Sequence, residues 1–599
     1  MNKFKIITLI FCWLSFCFTG CLKQNNPIIE PNYTGFNTIE LNIQNYDGNL
    51  SCKRSVVEQE NTTFYDTSQW SQDTVFKING DVVIDSVSIS YGELIYKYSL
   101  INSKGEVLDS FFTSKNTFPR NLIPQIKLPE RPQWDSIYYK AWDLTWQSIV
   151  TSDGMPSKYA YNDYPDNRHT TYLWDASFCN LFQRYAQMHN GHPGMKTIDN
   201  FYAQQQESGF IARNYRSKDF KPNSMSAEIP KVESINPPLI SMCEWEYYQI
   251  SNDSSRLEQV LPYLVSNFRF IDSFMQEKEG CYLWTGNGSG WDNINWHQGE
   301  KAIHYWVDLI PLQALNAFYI SNIASVLGEN EIKTEFQKEI DRKQQLLDNY
   351  WNKEKQWYCS LDKQGEFTRK TLVGMWPMLA GIVSDERAEE IVKTLMNEKT
   401  FLTSPMPLPT LAKDESGYNS KGEYWLGSAW INISLMVIQG LEKYGFQAEV
   451  SELNIKTLDA IAKTYFDWKE NPKTLWEAYA PEFDAPASHK RKKELGSVRK
   501  DFSGWTCNLI NMIIESHIGI DIDAPKNTIT WSILTEEEMG ISNLKFNDII
   551  TDLLVVPESN GLTFKIQSSG SYWLHIKHKS GVKREIQIKK GDNNFKIEI

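Results

Sequence analysis

The spacing of apolar residues changes twice along these 599 residues, and that change constrains the fold more than any single motif does. Up to about Gln125 the period is two, as in Thr38-Ile39-Glu40-Leu41-Asn42-Ile43 and Val82-Val83-Ile84-Asp85-Ser86-Val87-Ser88-Ile89. Such alternation turns one face of a strand to a core and the other to water. Turn residues separate the runs at Asn45-Tyr46-Asp47-Gly48, Asn79-Gly80 and Ser103-Lys104-Gly105, so 37–127 is expected to form an N-terminal β-sandwich. Leu128-Pro129-Glu130-Arg131-Pro132 reads as a linker. From Trp134 onward apolar positions recur at three- and four-residue spacing, which predicts helices.

About a dozen helical segments are expected, at 134–150, 174–188, 194–206, 238–251, 255–277, 305–327, 330–352, 371–382, 385–397, 425–444, 452–468 and 503–517. Several carry end signals, such as acids in a first turn at Ser384-Asp385-Glu386 and a closing glycine at Leu327-Gly328. No repeat of solenoid length is legible. Paired helices over 134–520, joined by long Trp-, Gly- and Pro-bearing loops, predict an (α/α)6 toroid, and loops of that length are usually functional. After His517-Ile518-Gly519-Ile520 strands return, with hairpin turns at Asn560-Gly561 and Ser580-Gly581, giving a small β-domain over 521–599. The fold class is therefore mainly α, a toroid flanked by two β-domains.

A net charge of −13 leaves no basic excess to neutralise phosphates, which argues against nucleic acid as a partner. The nine His are scattered without ligand spacing, so neither a metal nor a cofactor is expected. No Cys pair has C-x-x-C spacing, and most Cys lie in apolar helical patterns, as core residues do. At the N-terminus, Lys3 and Lys5 precede an apolar run from Ile6 to Phe18 that is too short to span a membrane permanently. The Phe18-Thr19-Gly20-Cys21 that follows resembles the lipobox of bacterial lipoproteins. That resemblance implies a signal peptide over 1–21, a lipidated Cys21 and an exported protein held to the membrane by its lipid alone. The polar, Asn/Pro-rich stretch 22–36 reads as a tether.

The 21 Trp carry the functional reading, because flat aromatic faces stack on pyranose rings, although they are also good core material. Gly288-Ser289-Gly290-Trp291-Asp292-Asn293-Ile294-Asn295-Trp296 places one carboxylate between two indoles in a run that reads as a loop. A carboxyl so enclosed is partly desolvated, as a general acid needs to be. A second acid, Glu477, lies in Leu475-Trp476-Glu477-Ala478-Tyr479-Ala480-Pro481, with Glu482 and Asp484 as rivals. Two carboxyl groups flanking a scissile bond are what glycoside hydrolysis requires.

Four segments resemble, in order, motifs of the trehalases (glycoside hydrolase family 37) and of family 63, which includes α-glucosidases and mannosylglycerate hydrolases. They are Tyr172-Leu173-Trp174-Asp175, Ser289-Gly290-Trp291-Asp292, Tyr424-Trp425-Leu426-Gly427-Ser428-Ala429-Trp430-Ile431-Asn432, and Trp476-Glu477-x-Tyr479-x-Pro481 followed by Phe502-Ser503-Gly504-Trp505. The resemblance covers roughly 134–520 and implies an inverting mechanism with Asp292 as general acid and Glu477 as general base. It further implies that Trp174 and Asp175 meet the −1 sugar. Trp291, Trp425, Trp476, Trp505 and Arg213 complete the expected sugar-binding set. Two departures leave the sugar open: Asn295-Trp296 stands where trehalases place an Arg, and Leu426 follows Trp425 where the family pattern has Arg. The expected activity is removal of an α-linked glucosyl or mannosyl unit from a glycan, exo-acting if the site is a pocket. The rivals are a non-catalytic glycan-binding lipoprotein and a polysaccharide lyase on a similar toroid.

Overall fold

A computed structural model describes residues 27–44, 50–59, 73–78, 82–86, 94–113, 117–150, 156, 161–162, 170–216, 221–222, 229–469 and 473–599. The expected signal peptide, Cys21 and the turns at 45–48 and 79–80 lie outside these residues.

Strands β1 (Ile28–Gly35), β2 (Thr38–Gln44) and β5 (Val82–Ser86) form one antiparallel sheet in the order β1-β2-β5. Strands β3 (Ser51–Gln59), β4 (Thr74–Lys77), β6 (Leu94–Ile101) and β7 (Val107–Phe112) form a second, in the order β4-β3-β6-β7. Ile39, Leu41 and Ile43 of the first sheet share one core with Cys52, Tyr96, Tyr98 and Leu100 of the second. Across that core Arg54 pairs with Asp85 at 2.8 Å, and the Tyr98 hydroxyl donates to Asp85 at 2.7 Å. This fits the expected sandwich, with two corrections. The stretch 22–36 is not all tether, because β1 occupies most of it and Phe36 N–H donates to Asn190 in the helical body. The domain also ends before residue 127, because β8 (Gln125–Lys127) pairs with Met539–Phe546 in the C-terminal sheet.

Each expected helical segment contains a helix, but the two kinds of helix differ in how they are buried. Pro132–Gln147, Gly194–Tyr202, Ser254–Met275, Asn330–Leu347, Asp385–Leu395 and Gln447–Asp467 alternate in sequence with Leu173–Gln187, Ile240–Ser251, Leu309–Leu327, Trp376–Ala380, Ile431–Lys443 and the run Thr506–His517. In the second set, all of Leu173–Gln187 is buried, as is nearly all of Ile431–Lys443. Leu309–Leu327 is apolar enough to cross a membrane by composition, yet it lies inside the fold. A helix that is apolar on every side belongs inside. Each inner helix packs against the next, and Thr506–Asn511 packs against both Ile431–Lys443 and Leu173–Gln187, which closes the ring. This arrangement fits the (α/α)6 toroid.

Two expected helices begin late. Residues 425–430 form a loop rather than a first helical turn, with Glu423, Tyr424 and Gly427 all at positive φ. Residues 305–308 precede the helix as a loop, and Tyr305 bridges to Leu283 and Leu361. Both delays leave a loop at the N-terminal end of an inner helix. The C-terminal domain has a five-stranded sheet, completed at its edge by β8, and a four-stranded sheet whose strands Thr528–Ile533 and Tyr572–His578 run parallel.

Candidate active site

A cavity of about 100 Å³ opens where these loops meet, lined among the described residues by Tyr172, Trp174, Asp175, Arg213, Asn236, Asn287, Gly290, Asp292, Tyr424, Glu477, Arg499, Phe502 and Trp505. Tyr172, Trp174 and Asp175 stand at the start of the inner helix Leu173–Gln187, and Trp505 directly precedes the run Thr506–His517. The positive end of the Leu173–Gln187 dipole therefore faces the cavity and favours negative charge there. Asp292 and Glu477, far apart in sequence, line the same space.

The acid loop is held from several sides. Gly286–Ser289 makes one helical turn, capped where Thr285 Oγ1 accepts from Gly288 N–H at 3.1 Å. Gly290 ends it at φ +87°, with the Trp174 ring 1.7 Å from where a Cβ would stand. Only glycine meets both conditions. Arg213 donates to the Asn287 carbonyl at 2.6 Å and Asn236 to that of Gly288 at 3.0 Å. Asn293 ties the loop to the neighbouring one, donating to Glu423 O at 2.9 Å and accepting from Trp425 N–H at 3.0 Å. Arg369 donates to the Ile294 carbonyl.

The surroundings of Asp292 correct the expectation of two flanking indoles. Trp291 is buried against Trp425, with centroids 4.6 Å apart, while Trp296 turns outward and is 38% exposed. The carboxylate instead forms an ion pair with Lys490, and a quarter of its side chain remains exposed. The run Lys490-Arg491-Lys492-Lys493, which sequence alone reads as a solvated loop over the cavity mouth, has its first residue on Asp292 and its next three exposed.

Glu477 has the enclosure expected of Asp292. It is 3% exposed and accepts from the Tyr424 hydroxyl at 2.9 Å and from the Arg499 N–H at 3.2 Å. Burial raises the pKa of its carboxyl; the Arg499 charge and the two hydrogen bonds oppose the rise, and the Asp292 charge adds to it. Asp175, buried beside it, is pushed up to about 7, mainly by burial, with Arg499 and Arg213 pulling down and Glu477 pushing up. The rivals lie elsewhere. Glu482 accepts from Tyr418 and pairs with Lys413, and Asp484 pairs with Lys463.

Of the expected sugar-binding residues, Trp174, Asp175, Arg213 and Trp505 line the cavity and Trp291, Trp425 and Trp476 do not. Trp425 is fully buried and stacks on Trp430 at 4.2 Å, so it and Trp291 form the bed beneath the site. Trp476 is buried, with its N–H donating to Tyr479 and its carbonyl accepting from Thr506. The Nε1 atoms of Trp174 and Trp505 and the Nε of Arg213 have no acceptor among the described residues. Sequence reading left Tyr424, Arg499, Asn236 and Phe502 without a role. Tyr424 was nevertheless within a quoted motif, and its backbone at φ +65°, rare for a non-glycine residue, marks a strained site residue.

Residues 170–503 match the model of a family described as "Mannosylglycerate hydrolase MGH1-like glycoside hydrolase domain". An uncharacterised protein of Borreliella burgdorferi is 28% identical over 467 residues, covering 76% of this chain and 94% of that one. The mannosylglycerate hydrolase of Thermus thermophilus is 31% identical over 144 residues, 23% of this chain and 34% of that one. Among solved structures, an α-L-rhamnosidase from Dictyoglumus thermophilum superposes with a TM-score of 0.54 at 12% identity, covering 96% of this chain and 64% of that one, a likeness of fold alone. The family match spans more than half of the chain and contains both carboxylates, so the protein belongs to the MGH1-like glycoside hydrolases and is a glycoside hydrolase.

Proposed function

We propose that this glycoside hydrolase is inverting and exo-acting, removing one α-linked glucosyl or mannosyl unit with Asp292 as general acid and Glu477 as general base. The observation that carries the reading is that both carboxyl groups face one small cavity, with N–H donors around it that lack an acceptor among the described residues, and with opposite degrees of enclosure. The leaving group must extend out of the pocket, so the carboxyl that protonates the glycosidic oxygen belongs on its more exposed side, where Asp292 stands. The base must hold a water on the enclosed face, where Glu477 is fixed by Tyr424 and Arg499. An inverting pair needs about 6.5–9.5 Å between its carboxyl groups, and a retaining pair roughly 5 Å.

In this scheme a sugar ring rests against Trp174 and Trp505, and their free N–H groups, together with Arg213 and Asp175, bind its hydroxyls. Asp292 gives its proton to the glycosidic oxygen as the bond to the anomeric carbon breaks. Glu477 takes a proton from the water that attacks that carbon from the opposite face. A pocket, unlike a groove, takes only a terminal unit, which is the basis for proposing exo action. Asp292→Asn and Glu477→Ala, assayed separately on α-glucosides and α-mannosides with product configuration read by NMR, test the assignment. A retained anomeric configuration, or near wild-type turnover by either variant, overturns it. The N-terminal sequence supports a lipid anchor on Cys21, and Cys21→Ala is expected to abolish labelling by radioactive palmitate.

A further inference from the structure

We propose that Lys490 is a leaving-group residue: in the empty site its ammonium holds the general acid, and the departing sugar displaces it and is then bound by it. This rests on the assignment of Asp292 as acid. Lys490 Nζ sits on Asp292 Oδ2 and 4.8 Å from the centre of the Tyr424 ring, whose hydroxyl donates to Glu477 at 2.9 Å. One cation thus touches the acid and the residue that holds the base. Its side chain is only 16% exposed.

Lys490 stands at the root of its loop, where placement is fixed, rather than at the loop's exposed tip. Glu423 N–H donates to Ser488 Oγ at 2.9 Å and Tyr424 N–H to the Ser488 carbonyl at 2.9 Å. His489 N–H donates to Ser497 Oγ at 2.8 Å, and its ring lies 5.1 Å from that of Tyr424. The next three residues, Arg491, Lys492 and Lys493, are exposed, and Lys493 pairs with Glu423 at 3.2 Å.

Lys490 Nζ occupies the Asp292 carboxylate oxygen that a glycosidic oxygen has to reach. The glycosidic oxygen must come to the same carboxyl, so the two compete for one place. When the leaving group enters, Lys490 moves onto its hydroxyls, Asp292 takes a proton from solvent water, and that proton passes to the glycosidic oxygen as the anomeric C–O bond breaks. Water adds to the carbon and loses its proton to Glu477, which returns it to solvent. The new Asp292 carboxylate draws Lys490 back, and the free sugar alcohol leaves.

A glycosyl fluoride separates this role from mere support, because fluoride leaves without protonation and places no sugar beyond the acid. Lys490→Met and Lys490→Arg are to be compared with the parent on an oligosaccharide and on the α-glycosyl fluoride of the same sugar. The Met variant should lose about 10- to 100-fold in kcat/KM on the oligosaccharide, the scale of a charged hydrogen bond, and stay within about twofold on the fluoride. The Arg variant should recover part of the loss. Parallel losses on both substrates, or no loss on either, overturn the proposal. If the Met variant does not fold, unequal kinetics of the Arg variant on the two substrates decide in favour and equal kinetics against. An Asp292→Asn arm separates the two readings, since full oligosaccharide turnover there would remove Asp292 as acid whatever Lys490 does.

Discussion

The two carboxyl groups of the site are held in opposite ways. Asp292 sits on a short, glycine-bearing turn at the open side and faces a cation from a separate loop. Glu477 lies deep, and its two hydrogen-bond donors are a phenol and a backbone N–H. An ammonium at the end of a lysine side chain can be exchanged for a substrate group, whereas a buried hydroxyl and a backbone amide hold one geometry. On the roles proposed above, the changing contact falls on the leaving-group side and the constant one on the water side. Asp308 extends the series, since it is fully buried and its Oδ1 has no partner among the described residues.

The largest expected effect is on the fixed side. Glu477→Ala should lower kcat by about 10³- to 10⁴-fold, the upper range for a general base, measured as sugar release; a loss under tenfold would break the contrast between the two sides. On the exchangeable side, Gly290→Ala forces a side chain into the left-handed region and against the Trp174 ring, at about 2–4 kcal/mol. Thermal unfolding should show the loss, and an unchanged Tm would mean that the acid loop is not rigidly seated.

Asp308 tests what burial does without an opposite charge beside the carboxyl. Its carboxyl is pushed up to about 7 by burial, with the backbone N–H groups of Asp308 and Leu309 opposing. A raised carboxyl binds its proton more tightly when folded, so its stabilising contribution is present in full below about pH 4 and is lost as the pH rises through about 7. Asp308→Asn should flatten the stability profile between those limits and gain roughly 1–3 kcal/mol at pH 8. Denaturant unfolding at several pH values checks this, and an unchanged slope would contradict it. The smallest effect is expected from Tyr424→Phe, about tenfold in kcat from one lost hydrogen bond. Because that bond holds the Glu477 carboxyl down, its loss should move the acid limb of the rate profile to higher pH. A limb that stays in place would show that Tyr424 acts on something other than the base.

The period of the apolar residues was enough to read both β-domains and the helical body, because burial on one face or on all faces leaves its mark locally. The two carboxyl groups that meet in the cavity drew notice in the sequence because each lies in a short run of unusual composition. Arg499 did not, and of Lys490 only its place in a loop over the cavity mouth did, since their contacts come from loops that only the closed ring brings together. The tryptophans misled in part. A Trp that stacks on another Trp and one that stacks on a sugar leave the same trace in sequence, and only the fold puts Trp425 beneath the cavity and Trp505 at its wall. Strand order was equally hidden, as the pairing of β8 shows.

That pairing makes the last domain something other than a detachable appendage. The edge strand Gln125–Lys127 precedes the whole helical body, yet the Ser542 hydroxyl that donates to the Gln125 carbonyl lies 417 positions further on. During synthesis this strand therefore waits with an open edge until nearly all of the polypeptide exists, and the chain is clasped shut only when the late strands arrive. A protein shortened after the toroid would keep every residue of the cavity and still carry an unsatisfied strand edge, the kind of surface that recruits other chains into aggregates.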